Sequence, residues 1–373
     1  MAMAEVSVVE IAAVEARVAE PRSTRVALPS WRTPWVIVPL LLATLLLMAL
    51  FALMQGPVPL SLDHVMQSLW HGMLGEPVQG PNDWVIRELR LPRVLLALLV
   101  GAGLAVAGVA TQGVFRNPLA DPGLIGVSSG AALAAVAVIV LKDTWLQEWS
   151  QLTGPLALPI AAFLGGLAVT VLMYRLGTWG GQTHIATLLL AGVAINVLAG
   201  AATGVLTYMA DDQQLRTMTF WSMGSLAYGK WDEIQVLGLL IGLPMLLCLR
   251  LARPLNALLM GENVANHLGF DVQHTKRWLL GMAALMVGAG VAVAGMIGFI
   301  GLVVPHLLRL MIGPDHRLLL PLSALAGGLL LLVADTLART WMPPSDLPVG
   351  LMMALIGGPV FLLLLMQQVR GKG

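Results

Sequence analysis

The side chains in this sequence that could do chemistry are few and far apart. Gly224 to Trp231 reads GSLAYGKW, with two glycines and a lysine at the spacing of a phosphate-binding loop. Trp231 stands where Mg²⁺ needs a hydroxyl, however, and no buried strand precedes the segment. His267 and His274 lie seven apart with no carboxylate placed as a third ligand, which is not a zinc pattern. No GxSxG elbow or other nucleophile-and-base arrangement occurs. The single cysteine, Cys248, excludes an internal disulfide framework and a thiolate cluster, and its apolar surroundings read as packing. Asp335 lies in an apolar run four residues before Arg339, a spacing that reads as a helix-end ion pair rather than a proton relay. What remains is guanidinium chemistry: Arg87, Arg90 and Arg93 together, Arg339 alone, and Arg216 within QQLRTMTFWSMGSL. Arginine grips carboxylates in a bidentate fork, which suits recognition and not bond breaking. The sequence therefore predicts no catalytic residue, no bound metal and no cofactor.

Those arginines need elements to hold them, and composition says of what kind. Of 373 residues, 58% are apolar and 11% charged, against about one quarter charged in soluble domains. The bilayer is the implied solvent. Runs long enough to cross it, about 20 residues each, lie near 35–54, 94–115, 123–141, 155–173, 185–209, 234–249, 278–300, 318–338 and 348–366, with a shorter tenth piece at 302–312. Residues 1–34 read as an uncleaved, disordered cytoplasmic tail before a transmembrane domain over 35–369. The net charge of +1, without a continuous basic footprint, argues against a nucleic-acid partner. Arg17, Arg22, Arg25 and Arg32, then Arg250, Arg253, Lys276 and Arg277, then Arg370 and Lys372 fall in segments that ten spans place in the cytoplasm, both termini included. Arg87, Arg90 and Arg93 disobey that rule.

The chain also repeats itself. Val100–Gly108 reads VGAGLAVAG and Val287–Gly295 reads VGAGVAVAG, an offset of 187. The same offset carries Arg90 onto Arg277, Pro118 onto Pro305 and Gly126 onto Gly313. With five spans per half, about 35–210 and 234–369, the second copy is inverted, a transporter device in which corresponding helices are interrupted. Pro118 and Pro305 are the expected interruptions. Gly200 with Gly204, and Gly238 with Gly242, make GxxxG faces for close helix packing.

Leu89–Gly130 (LRLPRVLLALLVGAGLAVAGVATQGVFRNPLADPGLIGVSSG), Gly261–Gly269 (GENVANHLG) and Gly298–Arg317 (GFIGLVVPHLLRLMIGPDHR), followed by Ala334–Arg339 and Asp346–Pro359, resemble the FecCD-type permeases over roughly residues 60–369. The resemblance implies an all-α protein of ten transmembrane helices in the bacterial inner membrane. It implies a second copy as partner, two cytoplasmic ATPase subunits and a periplasmic substrate-binding protein, with an iron chelate, haem or cobalamin as cargo. Gly261, Glu262, Ala265, Leu268 and Gly269, in a loop over about 254–276, match the coupling helix that rests in the ATPase. A short amphipathic helix there, with Ala265 and Leu268 on one face, suits a partner groove. Arg90 and Arg93, and Arg339, match positions that receive acidic residues of the binding protein; local pairing with Glu88 and Asp83 is the alternative. Relatives conduct cargo along the fifth and tenth spans and a short gating helix. That assigns Arg216, Met218, Phe220 and Trp221 to the pathway, together with Asn196, which either faces substrate or bonds a neighbouring helix. Two copies of Arg216 would attract the two propionates of haem, which favours haem over ferric siderophore or cobalamin; an interfacial, snorkelling Arg216 is the plainer reading. A transporter driven by an ion gradient would need a buried carboxylate relay that the spans do not supply, and a membrane-embedded enzyme would need a catalytic pair.

Overall fold

The computed structural model describes residues 34–227, 229–342 and 345–370. The expected tail lies outside these residues, apart from Pro34. In chain order the helices are α1 (Pro34–Met54), α2 (Leu62–Met73), α3 (Leu91–Phe115), α4 (Val127–Leu141), α5 (Ala157–Leu176), α6 (Ile185–Met209), α7 (Asp212–Ser222), α8 (Trp231–Arg250), α9 (Ala252–Leu259), α10 (Glu262–His267), α11 (Val272–Ala294), α12 (Ile300–Ile312), α13 (His316–Trp341) and α14 (Val349–Arg370). Seven stretches, those carrying α1, α3, α5, α6, α8, α11 and α13, are long and apolar enough to span a membrane, and α4, α12 and α14 are shorter apolar helices. Among the described residues that makes the ten expected spans.

The centre of the molecule is α3, buried along nearly its whole length. A helix apolar all round is buried either in protein or in lipid, and for α3 close packing of small residues puts it in protein. A Cβ on Gly101 would stand 2.3 Å from the Gly327 carbonyl oxygen, and one on Gly327 only 2.4 Å from that of Gly101. Gly108 meets the Gly301 oxygen at 1.9 Å by the same measure. Backbone therefore lies on backbone where α3 crosses α13 and α12, and Gly130 with Gly165 repeats the arrangement between α4 and α5. The predicted GxxxG faces do not: among the described residues nothing lies within 4 Å of a Cβ placed on Gly200, Gly204, Gly238 or Gly242.

The repeated segments fall in α3 and α11, and these run in opposite directions. α3 begins beside the start of α8, where Trp231 Nε1 donates to the Arg87 carbonyl (3.1 Å); it ends where Gly113 abuts Leu255 of α9. α11 starts at that second end, just beyond α10, and finishes at the first, where its Ala294 carbonyl accepts from Ser225 N–H (2.8 Å). The copies diverge after their glycines. α3 continues through Gly108, whereas α11 stops before Gly295 (φ 69°) and Phe299 (φ 69°), both left-handed.

The prolines are not equivalent interruptions either. Pro118 lies in the loop after α3, and Pro305 lies inside α12. Having no N–H, Pro305 leaves the Gly301 carbonyl without its helical donor. Gln112 Nε2 supplies one from α3 at 3.1 Å. Its Oε1 in turn accepts from Arg309 at 2.9 Å.

Candidate translocation site

The largest cavity described, about 890 Å³, is lined by Gln213, Arg216, Thr217, Phe220 and Trp221 of α7, by Ser225 and Ala227, by Val293–Gly295 at the end of α11, and by Asp346–Pro348 leading into α14. This volume suits a small-molecule site, for which about 300–1,000 Å³ is usual. α7 is set by a capping box, Asp211 accepting from Gln214 N–H (2.7 Å) while the Gln214 amide oxygen accepts from Asp211 N–H (3.1 Å). Beneath the cavity, backbone crowds backbone. A Cβ on Gly295 would lie 2.4 Å from the Trp221 oxygen, and one on Gly350 2.2 Å from the Met223 oxygen. Gly295 also needs its positive φ, so no other residue fits there.

Of the residues assigned to the pathway, Arg216, Phe220 and Trp221 line this cavity, and the Arg216 guanidinium lies 5.9 Å from the Phe220 ring centroid. Met218 and Asn196 do not. Met218 is buried against Val136, Ile139 and Val140 of α4, because helical spacing turns it to the opposite face of α7 from Phe220. Asn196 accepts from Ser129 Oγ of α4 at 2.6 Å, a helix-to-helix bond.

The arginines expected at the outer mouth are drawn inward. One helix runs from Gly80 to Phe115, π-wound over Val85–Arg90. Arg90 is buried and donates to the carbonyls of Leu53 (2.8 Å), Met54 (2.9 Å) and Val58. Arg339, also buried, donates to the Ala52 carbonyl at 2.5 Å. Ala52, Leu53 and Met54 end α1, where carbonyls lack helical partners and the helix dipole is negative. Two guanidinium groups thus cap α1, which corrects the expectation that Arg90 and Arg339 stand open to a partner. Arg93 forks onto the fully buried Asp335, with Nε 3.0 Å from both oxygens, and reaches Asp346 at the cavity wall through Nη1 at 2.6 Å. The expected Asp335–Arg339 pair is present but looser, at 3.8 Å. Asp83 pairs with Arg87, not with Arg90.

At the opposite end, α10 is bounded by Gly261 (φ 114°) and Gly269 (φ 85°), which turn the chain in and out of it. Ala265 is wholly buried against Ala257, Leu258 and Val272, while Leu268 points outward and is 59% exposed. The two therefore do not share a face, contrary to the expectation from sequence, because positions 265 and 268 diverge once Ala265 turns in against α9. The outward stripe is Met260, Val264 and Leu268, four residues apart. Glu262 faces inward to Lys276, an ion pair of 2.7 Å in which Lys276 is 1% exposed. Asp315, before α13, accepts from Asn256 of α9 (2.6 Å) and Arg317 N–H (3.0 Å), and these two donors hold its carboxyl below the usual range.

Sequence reasoning missed Asp346, Gln112 and Lys276. Gln112 carried a signal, being the one amide in the apolar run VATQGVF. Asp346 and Lys276 sit beside turns and resemble ordinary surface charge until the fold brings Arg93 and Glu262 to them.

Residues 42–367 match the FecCD transport family. The hemin transport system permease of Yersinia pestis is 47% identical over 338 residues, covering 90% of this chain and 96% of that one. A cobalamin import permease of Halobacterium salinarum is 44% identical over 281 residues, 75% of this chain and 73% of its own length. A solved inward-facing structure of a metal-chelate type ABC transporter superposes with a TM-score of 0.77 at 30% identity, covering 90% of this chain and all of that one. With its enclosed central helix, its antiparallel repeat and a cavity of ligand size, the chain belongs to the FecCD transport family, whose members are multi-pass membrane permeases.

Proposed function

We propose that the chain is the membrane subunit of an ATP-driven importer that carries haem from periplasm to cytoplasm across the bacterial inner membrane. The observation that carries this reading is the cavity beside α7, where an exposed cation, Arg216, stands next to Phe220 and Trp221. A flat apolar macrocycle bearing carboxylates is complementary to that pairing. The 47% identity to a hemin permease supports the same cargo. Cobalamin is the second reading, favoured by the relatives at 44% and 38% identity.

Two copies would meet along α6, whose Val193, Val197, Val205 and open Gly200 and Gly204 are left uncovered by the described residues. The stripe Met260–Val264–Leu268 would rest in a groove of a separate ATPase, with nucleotide-driven movement entering through α10 and the Glu262–Lys276 tie. The permease itself breaks no bond. A periplasmic binding protein would dock on the rim that Arg93 helps to build, with both chain termini in the cytoplasm.

The test is ATP hydrolysis and uptake in liposomes holding the permease with its ATPase, with and without haem-loaded binding protein. Haem-dependent stimulation with accumulation is expected. Uptake of another chelate instead would remove haem as cargo, and failure to couple to any ATPase would remove the importer. Arg216→Ala should cut haem uptake while leaving ATPase coupling intact.

A further inference from the structure

The helix between the first span and the π-turn has three chemically distinct sides. At 100° per residue, Leu62, Met73, Met66 and Trp70 of α2 fall within an arc of about 80°, Asp63, Gln67, His71 and His64 within the next arc of about 100°, and Ser68, Gly72, Val65 and Leu69 in the remainder. The third side meets the protein: Val65 and Ser68 are buried, and Ser68 Oγ donates to Asp83. The second is polar and faces a groove or water. The first is apolar yet uncovered, with Leu62, Met66, Trp70 and Met73 exposed by 47–75%. A helix in water has no use for that side, and one packed wholly in protein has no use for the polar one.

Its height in the membrane follows from the chain. α1 is 21 residues long, about 30 Å, which matches the hydrocarbon thickness and puts Met54 at its boundary. The linker cannot carry α2 away from that level, because Leu60 N–H donates back to the Met54 carbonyl at 3.1 Å and Leu60 is buried in the core. α1 presents its own uncovered apolar side, through Leu40, Leu46, Leu47 and Phe51, to lipid.

We propose that α2 lies flat in the outer interface of the bilayer, with Leu62, Met66, Trp70 and Met73 in the acyl boundary, continuing the lipid contact of α1. Trp and Met at that depth with Asp and His above them is the pattern of an interfacial helix. α2 carries no Lys or Arg, so its hold is apolar and needs no anionic lipid. Through Ser68 and Asp83, and through the Arg87 guanidinium packed on Gly72, the lipid surface then sets the height of the π-turn and of the arginines beyond it.

The experiment places single cysteines for spin labelling at Leu62, Met66, Trp70, His64 and Gln67 in the full chain, reconstituted in phosphatidylcholine vesicles. Cys248 is fully buried and stays in place. Collision with oxygen and with a water-soluble nickel chelate is then compared at each site. Oxygen should dominate at 62, 66 and 70 and the chelate at 64 and 67. Chelate access at 66 and 70 equal to that at 67 would mean solvent exposure and overturn the proposal. Exclusion of both reagents at 66 and 70 would mean a protein cover and overturn it too, as would oxygen access only when phosphatidylglycerol is added.

Discussion

Replacing Arg93 by alanine should destabilise the folded permease strongly. Asp335 is fully buried, and Arg93 supplies its two short contacts; without them only Arg339 remains, at 3.8 Å. Stranding a buried charge in this way costs about 3–5 kcal/mol. Asp346 is different: its side chain is 31% exposed, so Asp346→Ala should cost about 1 kcal/mol or less. At about 2–4 °C per kcal/mol for a large chain, Arg93→Ala should lower the apparent Tm by about 6–20 °C and Asp346→Ala by no more than about 4 °C. The assay is heating of detergent-solubilised permease, followed by the fraction that still elutes as a monodisperse peak. Arg93→Lys should fall between, since an ammonium cannot fork across two carboxylates. The double change Arg93→Leu with Asp335→Leu should recover much of the loss, because it removes both charges together. A Tm for Arg93→Ala within about 1 °C of the parent would falsify this account and leave Arg93 as a free docking group, whose loss weakens only association with the binding protein.

Other consequences can be checked with the same preparation. Glu262→Gln should destabilise more than Lys276→Met, since the first strands a cation that is 1% exposed and the second leaves a carboxylate with 31% of its side chain open to water. Leu268→Asp should leave Tm unchanged and reduce cargo-stimulated ATP hydrolysis in the assembled importer, because Leu268 points outward. Gly108→Val should prevent accumulation of folded protein, as its Cβ has only 1.9 Å to the Gly301 oxygen; normal expression would contradict the backbone seam. Asp315→Ala should lower Tm at pH 7. Because the folded-state pKa is depressed, the native benefit is full above about 4 and fades as pH falls through the folded value, so the gap between parent and variant should close in acid.

The spans were legible because bilayer thickness imposes a length on apolar runs, and all ten fall where hydropathy puts them. Ends were less so. α11 starts at Val272 and stops at Ala294, earlier at both ends than the apolar run, because Lys276 finds Glu262 at one end and Gly295 breaks the helix at the other. The repeat was legible as sequence, but what the second copy does after its glycine, a break and then a proline-bearing helix, depends on Gln112 reaching across from α3. Arg216, Phe220 and Trp221, assigned through the resemblance to a gating helix, line one cavity. The burial of Arg90 and Arg339 was not legible because their partners are backbone carbonyls at the end of α1 and just beyond it, 32 to 37 residues away for Arg90 and 287 for Arg339. Carbonyls carry no sequence signal.

The glycine seams also limit how this protein can move. Where Gly101 lies on Gly327, and Gly108 on Gly301, a slide of one residue along either helix would drive a side chain into a carbonyl oxygen. Shear between α3, α12 and α13 is thereby forbidden, and these helices act as a stator. α6, with its uncovered outer face, is left to pivot as a lever about it, whereas α7 and α14 are held to the stator's end through Gly295 and Gly350. Amide exchange should divide along the same line, slowest in the stator and fastest in α6.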